Sequence, residues 1–216
     1  MSGRPEAVIF DNDGLLLDTE EAWTRAEVTL FARRDRAFTI EHKRSLLGSS
    51  RAIASGKLET MLELPPGAGP ALMDELFGLV WEEVEHGAPP MPGAVALLDA
   101  LRAAGVPVGL ASNSARSFVD RVLGIAGLTG AFDATVAGDE VADPKPAPDV
   151  YLAAAALLGA APERCVALED SPTGVAAATA AGMFVVGVPS VEGVELAADL
   201  VVATLADAAV RHAVGL

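Results

Sequence analysis

The segment from Val8 to Glu20 constrains the fold of this chain more than any other. Three apolar residues, Val8–Phe10, lead directly into Asp11 and Asp13, and a glycine follows. This pattern predicts a buried parallel strand that ends in two carboxylates at the edge of the sheet where open α/β sheets bind ligands. Neighbouring carboxylates repel each other unless a cation, a proton or hydrogen-bond donors compensate them. We therefore expect a metal site or a nucleophile with an acid/base partner, with an acidic turn as the plainer alternative.

Composition limits the class of protein. The chain has 216 residues, 51% of them hydrophobic, and a mean hydropathy of +0.39, which excludes a disordered chain. No uncharged apolar run is long enough to span a bilayer, so we expect no membrane segment. The first six residues show no apolar signal region, and the single Cys165 cannot form an internal disulfide. Both observations favour a cytoplasmic location, with Cys165 as a buried structural thiol.

The charge balance disfavours nucleic acid as a partner. Fifteen basic and thirty acidic residues give a net charge of −15, and the basic residues form no dense stripe. The same charge repels a phosphorylated small molecule at long range. Such a substrate would have to be captured by local cations and backbone amides. We expect a monomer that binds a small molecule.

The chain changes character near residue 90. Up to His86 the apolar spacing is helical and predicts four helices: 20–34, 40–47 after an N-cap at Thr39, 50–62, and one that follows the breaker 64–70. From Gly93 onward, helices and strands alternate, which is typical of a doubly wound α/β fold. The predicted fold is a Rossmann-like parallel sheet core, residues 1–16 and 91–216. An inserted helical bundle, residues 17–90, forms a cap over the strand ends.

Two further motifs lie after strands or at helix starts of the predicted core. Ser112, Asn113 and Ser114 are predicted to open a helix towards Ile125, where they could cradle a phosphate or simply cap the helix. Lys145 stands in the proline-framed loop Asp143–Asp149. It is either an ordinary surface lysine or a cation that the rigid loop aims at a ligand.

A second acidic pair follows a second buried strand. Glu169 and Asp170 come directly after Val166–Leu168, so they are expected at the same edge of the sheet as Asp11 and Asp13. An unpaired carboxylate at the end of a buried strand is destabilising, because burial removes it from water. A divalent cation shared with the first pair would remove the conflict.

Taken together and in this order, the four motifs resemble the haloacid dehalogenase superfamily. The resemblance extends from Asp11-Asn12-Asp13-Gly14 through Ser112-Asn113 and Lys145-Pro146 to Glu169-Asp170-Ser171, and it is to the branch whose helical cap follows the first strand. It covers essentially the whole chain. The resemblance therefore implies the same α/β core with an inserted cap.

The resemblance also implies roles for these residues. Asp11 would be the nucleophile that takes a phosphoryl group, and Asp13 the general acid and later the base for water. Mg²⁺ would be held by Asp11, the backbone carbonyl of Asp13 and Asp170, with Glu169 beside it or reaching it through water. Lys145 would add positive charge. Ser112 and the amide of Asn113 would bind the transferring oxygens.

Differences between this sequence and members of the family limit the type of reaction. Asp13 disfavours dehalogenation, because a halide leaving group needs no proton. β-Phosphoglucomutase carries a histidine on the first cap helix where Trp23 stands here, whereas its cap arginine has a counterpart in Arg51. Arg51 is therefore a candidate substrate-binding residue, although an exposed helical arginine is ordinary. Trp23 is expected to pack within the cap. It cannot move protons as histidine does.

We therefore expect a Mg²⁺-dependent phosphatase that acts on a small phosphorylated metabolite, such as a sugar or polyol phosphate, through an aspartyl-phosphate intermediate. A sugar-phosphate mutase of the β-phosphoglucomutase type is the alternative within the class. A catalytically idle α/β binding protein is the alternative outside it.

Overall fold

A six-stranded parallel sheet forms the centre of the computed structural model, which describes residues 4–216. The strand order is β3-β2-β1-β4-β5-β6. The strands are β1 Ala7–Phe10, β2 Val108–Ala111, β3 Ala134–Val136, β4 Cys165–Glu169, β5 Phe184–Gly187 and β6 Leu200–Val201. The predicted doubly wound α/β fold is confirmed.

Strand β1 lies in the middle of the sheet, and its residues pack alternately on the two faces. Val8 and Phe10 join the larger apolar core, whereas Ala7 and Ile9 join the smaller one. Since both faces are covered by helices, the strand is apolar throughout, as expected for a parallel sheet. The chain continues from β1 to β2 on one side and later returns to β4 on the other. Ligands bind at such a switch point in open α/β sheets.

Helices surround the sheet and also form the segment between β1 and β2, residues 17–90, which is called the cap below. The cap contains α1 Glu20–Ala32, α2 Ile40–Leu46, α3 Arg51–Met61 and α4 Gly69–Val84. Thr39 caps α2 as predicted, because its hydroxyl accepts from the backbone N–H of His42. The helices of the core are α5 Ala94–Ala103, α6 Arg116–Ile125, α7 Asp149–Leu157, α8 Pro172–Ala180 and α9 Ala208–Ala213.

Two details of the sequence prediction were wrong. Helix α6 begins at Arg116 rather than at Ser112, so the Ser112–Ser114 motif lies in the loop between β2 and the helix. The short helix α9 was not predicted, although Asp207 caps it by accepting from the N–H of Ala209. Its six residues are too few to show a clear apolar period.

The two connections between cap and core run side by side. The N–H of Asp18 donates to the carbonyl of Pro89 at 2.8 Å, and the N–H of Met91 donates to the carbonyl of Leu16 at 2.9 Å. These hydrogen bonds lie close to the predicted boundaries at residues 16/17 and 90/91. The division into two domains stays a prediction. In residues 4–216, none of the helices is both long and apolar enough to cross a bilayer.

Candidate active site

Asp11 directly follows β1 at the switch point of the sheet. Its N–H donates to the carbonyl of Leu168 on β4, which fixes the residue at the carboxyl edge. The carboxylate oxygen Oδ1 accepts from Nζ of Lys145 at 2.5 Å. Within residues 4–216, Oδ2 of Asp11 accepts no hydrogen bond, and the residue lines a cavity. One oxygen of Asp11 is therefore anchored and the other is free to react.

Lys145 is buried among oxygen atoms. Its ammonium group donates to Asp11, to Glu169 Oε1 at 2.7 Å and to the carbonyl of Ala111 at 2.8 Å. Burial alone would lower the pKa of Lys145, but the charges of Asp11 and Glu169 outweigh it and raise that pKa. The lysine is therefore a permanent cation. Of the two sequence interpretations, the aimed cation is the one that the geometry supports.

Glu169 holds this arrangement in place from β4. Its Oε1 accepts from Lys145 and from the hydroxyl of Tyr151, the latter at 2.6 Å. Its Oε2 accepts from the N–H of Asp170 and from the N–H and hydroxyl of Ser171. Five donors occupy a carboxylate that has about four lone-pair sites. This saturation suits a supporting role better than direct binding of a ligand.

Asp170 brings a third carboxylate to the site. Carboxylate oxygens of Asp11, Glu169 and Asp170 lie within 4.8 Å of one another. Burial, followed by the charges of Asp11 and Glu169, raises the pKa of Asp170 well above its usual range. Burial likewise raises the pKa of Asp11, and the opposing effect of Lys145 is too small to reverse this. The single ammonium group of Lys145 does not balance the three carboxylates of Asp11, Glu169 and Asp170. Such an excess of negative charge is expected at a site that binds a cation.

Asp13 is turned towards three hydroxyl groups. Thr19 donates to its Oδ1 at 2.8 Å, while Ser112 and Ser114 donate to its Oδ2 at 3.1 and 2.8 Å. The hydroxyls come from the start of the cap and from the loop after β2. Asp13 is only partly buried and lines the same cavity as Asp11. The two aspartates of the first motif therefore have different surroundings.

The side chain of Asn113 does not face a ligand. Its Oδ1 accepts from the N–H of Lys145 at 2.8 Å, and its Nδ2 donates to the carbonyl of Lys145 at 3.1 Å. The same Nδ2 donates to the carbonyl of Gly48 in the cap at 3.0 Å. The amide group therefore clamps the backbone of the lysine and ties it to the cap. The sequence prediction for Asn113 concerned its backbone amide, which stays a prediction.

Two glycines allow the close packing of the site. A Cβ on Gly174 in α8 would stand 1.8 Å from Oε1 of Glu169, so only glycine lets this helix approach the carboxylate. Gly14 has φ of +83°, and a Cβ there would stand 2.3 Å from Oδ2 of Asp170. Ser171 caps α8, because its hydroxyl accepts from the N–H of Gly174 at 3.0 Å.

Asn12 is an exception to the good pairing of the site. It is fully buried, and neither its side-chain oxygen nor its nitrogen has a hydrogen-bond partner among the described residues. Buried polar groups of this kind are rare and destabilising. The neighbouring Asp13, in contrast, accepts three hydrogen bonds from hydroxyl groups.

A cavity of about 650 Å³ extends from these residues into the cap. Arg51 lines it, with its guanidinium bound to Asp74 at 2.5 Å and 5.0 Å from the ring of Phe77. Trp23 packs against Phe77 and Phe118, with ring centroids 5.3 and 5.9 Å away. Trp23 thus belongs to an aromatic cluster that joins cap and core.

Three residues of the site were missed by sequence reasoning. Tyr151 supports Glu169, Thr19 supports Asp13, and Ser190 donates to Oδ2 of Asp170 at 2.5 Å. Tyr151 is the single tyrosine of the chain and stands six residues after Lys145, which is a weak signal at best. The two hydroxyl residues carry no pattern that would distinguish them from other serines and threonines.

The fold and the site together define an α/β protein with a candidate hydrolase centre at the switch point of its sheet. The model of the haloacid dehalogenase-like hydrolase family matches residues 5–182. The chain belongs to this family. The resemblance stated from the four motifs is thereby confirmed.

Relatives agree with this assignment. Hexitol phosphatase B of Escherichia coli K12 is 34% identical over 189 residues, which are 86% of this chain and 84% of that protein. The Arabidopsis thaliana chloroplastic protein SUPPRESSOR OF QUENCHING 1 is 35% identical over 190 residues, but the match spans only 18% of that longer protein. The crystal structure of CbbY from Rhodobacter sphaeroides in complex with phosphate has a TM-score of 0.80 and 29% identity, covering 94% of this chain and 96% of that one.

Proposed function

We propose that the protein is a Mg²⁺-dependent phosphatase of small phosphorylated metabolites, such as sugar or polyol phosphates. The observation that carries the proposal is the state of Asp11, whose Oδ1 is anchored by Lys145 while Oδ2 is free at the cavity. A carboxylate placed in this way can act as a nucleophile. The phosphatase named among the relatives supports the choice of a phosphate ester as substrate.

In the first step, Oδ2 of Asp11 attacks phosphorus and the bond to the leaving alcohol breaks. Asp13 donates a proton to the leaving oxygen, so that the alcohol departs neutral. In the second step, Asp13 takes a proton from water, and the hydroxide attacks the aspartyl phosphate. Phosphate leaves and the carboxylate of Asp11 is restored. Lys145 stays protonated throughout and offsets the negative charge near Asp11.

The residues present fit a bound Mg²⁺ ion. Asp11 and Asp170 would supply carboxylate oxygens and Asp13 its backbone carbonyl, while Glu169 would act through Lys145 or through a water molecule. When bound, the ion supplies positive charge for the phosphoryl oxygens. Ser112 and the backbone amide of Asn113 would bind the same oxygens.

Release of p-nitrophenol from p-nitrophenyl phosphate, with and without Mg²⁺, tests the proposal. We expect turnover that requires both the ion and Asp11, and no turnover by Asp11→Asn, because the amide has nearly the same shape but is not a nucleophile. Glu82→Gln is the matched control, since Glu82 is exposed on the cap and does not line the cavity. A parent protein without turnover would favour the idle binding protein.

A mutase would instead return the phosphoryl group to a second hydroxyl of the substrate. Trp23 stands where the mutase histidine is expected, and its ring lies within the aromatic cluster with Phe77 and Phe118. It has no group that could exchange a proton with a sugar hydroxyl. β-Glucose 1-phosphate with a trace of the 1,6-bisphosphate should therefore yield free phosphate. Accumulation of glucose 6-phosphate with little free phosphate would favour the mutase.

The monomeric state and the cytoplasmic location stay predictions from the sequence.

A further inference from the structure

A buried charged cluster in the cap lines the same cavity as the catalytic carboxylates. Nζ of Lys43 in α2 forms ion pairs with Glu20 Oε2 at 2.6 Å and with Glu27 Oε2 at 3.2 Å, and both glutamates belong to α1. Glu27 and Lys43 are only 3% and 5% exposed. We call these three residues the cap triad. None of them has a role in the proposed phosphoryl transfer.

The cap triad presents unused hydrogen-bond acceptors to the cavity. Each of the two glutamates uses only Oε2 for Lys43, and within residues 4–216 the Oε1 atoms accept no hydrogen bond. All three residues line the cavity. A carboxylate oxygen that lines a cavity and has no donor from the protein is available to the hydrogen-bond donors of a bound molecule. The triad can therefore accept hydrogen bonds from a ligand.

The charge of the cavity disfavours a second anionic group on this ligand. Among residues 4–216, six carboxylates and three cationic side chains line the cavity. Each of these three cations already has a carboxylate partner: Lys145 has Asp11, Lys43 has Glu20 and Arg51 has Asp74. A second phosphate near the triad would face the carboxylates of Glu20 and Glu27 and would be repelled.

We propose that Glu20 and Glu27, held in place by Lys43, form the subsite that binds the alcohol part of the substrate. The two side chains accept hydrogen bonds from its hydroxyl groups. The subsite takes the monophosphate of a polyhydroxy alcohol and rejects a bisphosphate. This inference rests on the proposed phosphatase function. Lys43 is a positioning residue, because its three hydrogen-bond donors are occupied by Glu20 and Glu27 and do not reach the alcohol.

The parent enzyme tests the inference with three substrates that share a six-carbon skeleton. Sorbitol 6-phosphate has hydroxyl groups, hexyl phosphate has none, and fructose 1,6-bisphosphate has a second phosphate. Phosphate release is measured for each at saturating Mg²⁺ and about pH 8.5, where Glu27 is ionised. We expect the highest kcat/KM for sorbitol 6-phosphate. A preference for hexyl phosphate or for the bisphosphate would overturn the inference, and no variant has to fold for this comparison.

Glu27→Gln assigns the effect to the triad. At about pH 8.5, where Glu27 is ionised, we expect the ratio of KM for sorbitol 6-phosphate to KM for p-nitrophenyl phosphate to rise about tenfold, because a hydroxyl bound to the carboxylate loses a charge-assisted hydrogen bond. Glu82→Gln should leave the ratio unchanged. An unchanged ratio in Glu27→Gln would refute the subsite. If the parent enzyme does not turn over p-nitrophenyl phosphate, the phosphatase function is refuted instead. Failure of the subsite and failure of the phosphatase function are therefore distinguishable.

Discussion

Glu27 should make the stability of this protein depend on pH near neutrality. Burial raises the pKa of Glu27 from an ordinary value of 4.5 to about 7, and the opposing attraction of Lys43 does not reverse the shift. Lys43 responds differently to the same contacts. Its own burial favours a lower pKa, but Glu20 and Glu27 together raise it, so the lysine stays charged.

The sign and size of the effect follow from proton linkage. Between pH 4.5 and 7 the folded protein holds a proton on Glu27 that the unfolded chain has lost, so the free energy of unfolding decreases as the pH rises. A shift of 2.5 pKa units corresponds to about 3 kcal/mol. About 2 kcal/mol of this is lost between roughly pH 5.5 and pH 8.

Urea unfolding of the parent and of Glu27→Gln at several pH values measures the effect. Glutamine has no proton to lose, so the variant should lack this part of the pH dependence. The free energy of unfolding of the variant, relative to that of the parent, should therefore increase by about 2 kcal/mol between roughly pH 5.5 and pH 8. Glu82→Gln should follow the parent. Parallel pH profiles for the parent and Glu27→Gln would refute the argument, because they would mean that Glu27 titrates alike in the folded and unfolded states.

Three further predictions concern the active site. Asp170→Ala should lose activity together with Mg²⁺ affinity, because a direct ligand is removed; calorimetric titration that finds parental affinity would contradict the metal assignment. Asn113→Asp should lower kcat by roughly tenfold or more, since it removes both donated hydrogen bonds and sets a carboxylate against the carbonyls of Lys145 and Gly48. Asn113→Ser, which keeps a donor, should recover part of that loss in steady-state assays, and no recovery would count against the clamp. Asn12→Leu should raise the free energy of unfolding by about 1–3 kcal/mol, because it removes two unpaired buried groups; a lower value in urea unfolding would show that Asn12 has a partner.

Much of the site could be predicted from sequence because its motifs are local. A run of apolar residues that ends in Asp11 predicts both a central strand and a carboxylate at its edge. The same holds for β4 and Asp170. Parallel strands bring their carboxyl ends to one edge, so four motifs in the right order are enough to place these side chains together.

Only the tertiary structure decided what each side chain contacts. The register of β1 against β4 sets Asp11 beside Glu169. Lys145 contacts Asp11 although the two residues are 134 positions apart in the sequence. Asn113 illustrates the same limit: the motif gave it a backbone role at a phosphate, but its side chain holds Lys145 and Gly48. Hydrogen-bond partners depend on distances of a few ångströms between segments that are remote in the chain, and local patterns carry no information at that scale.

The cap shows this difference most clearly. The helical spacing of apolar residues predicted its four helices, because burial of one face repeats every three or four positions. The contact between Lys43 and Glu27 has no such period, since it depends on how α2 crosses α1. In the sequence both residues resemble ordinary surface charges. Burial at the cavity wall, which arises only when the helices pack, is what turns them into a candidate subsite.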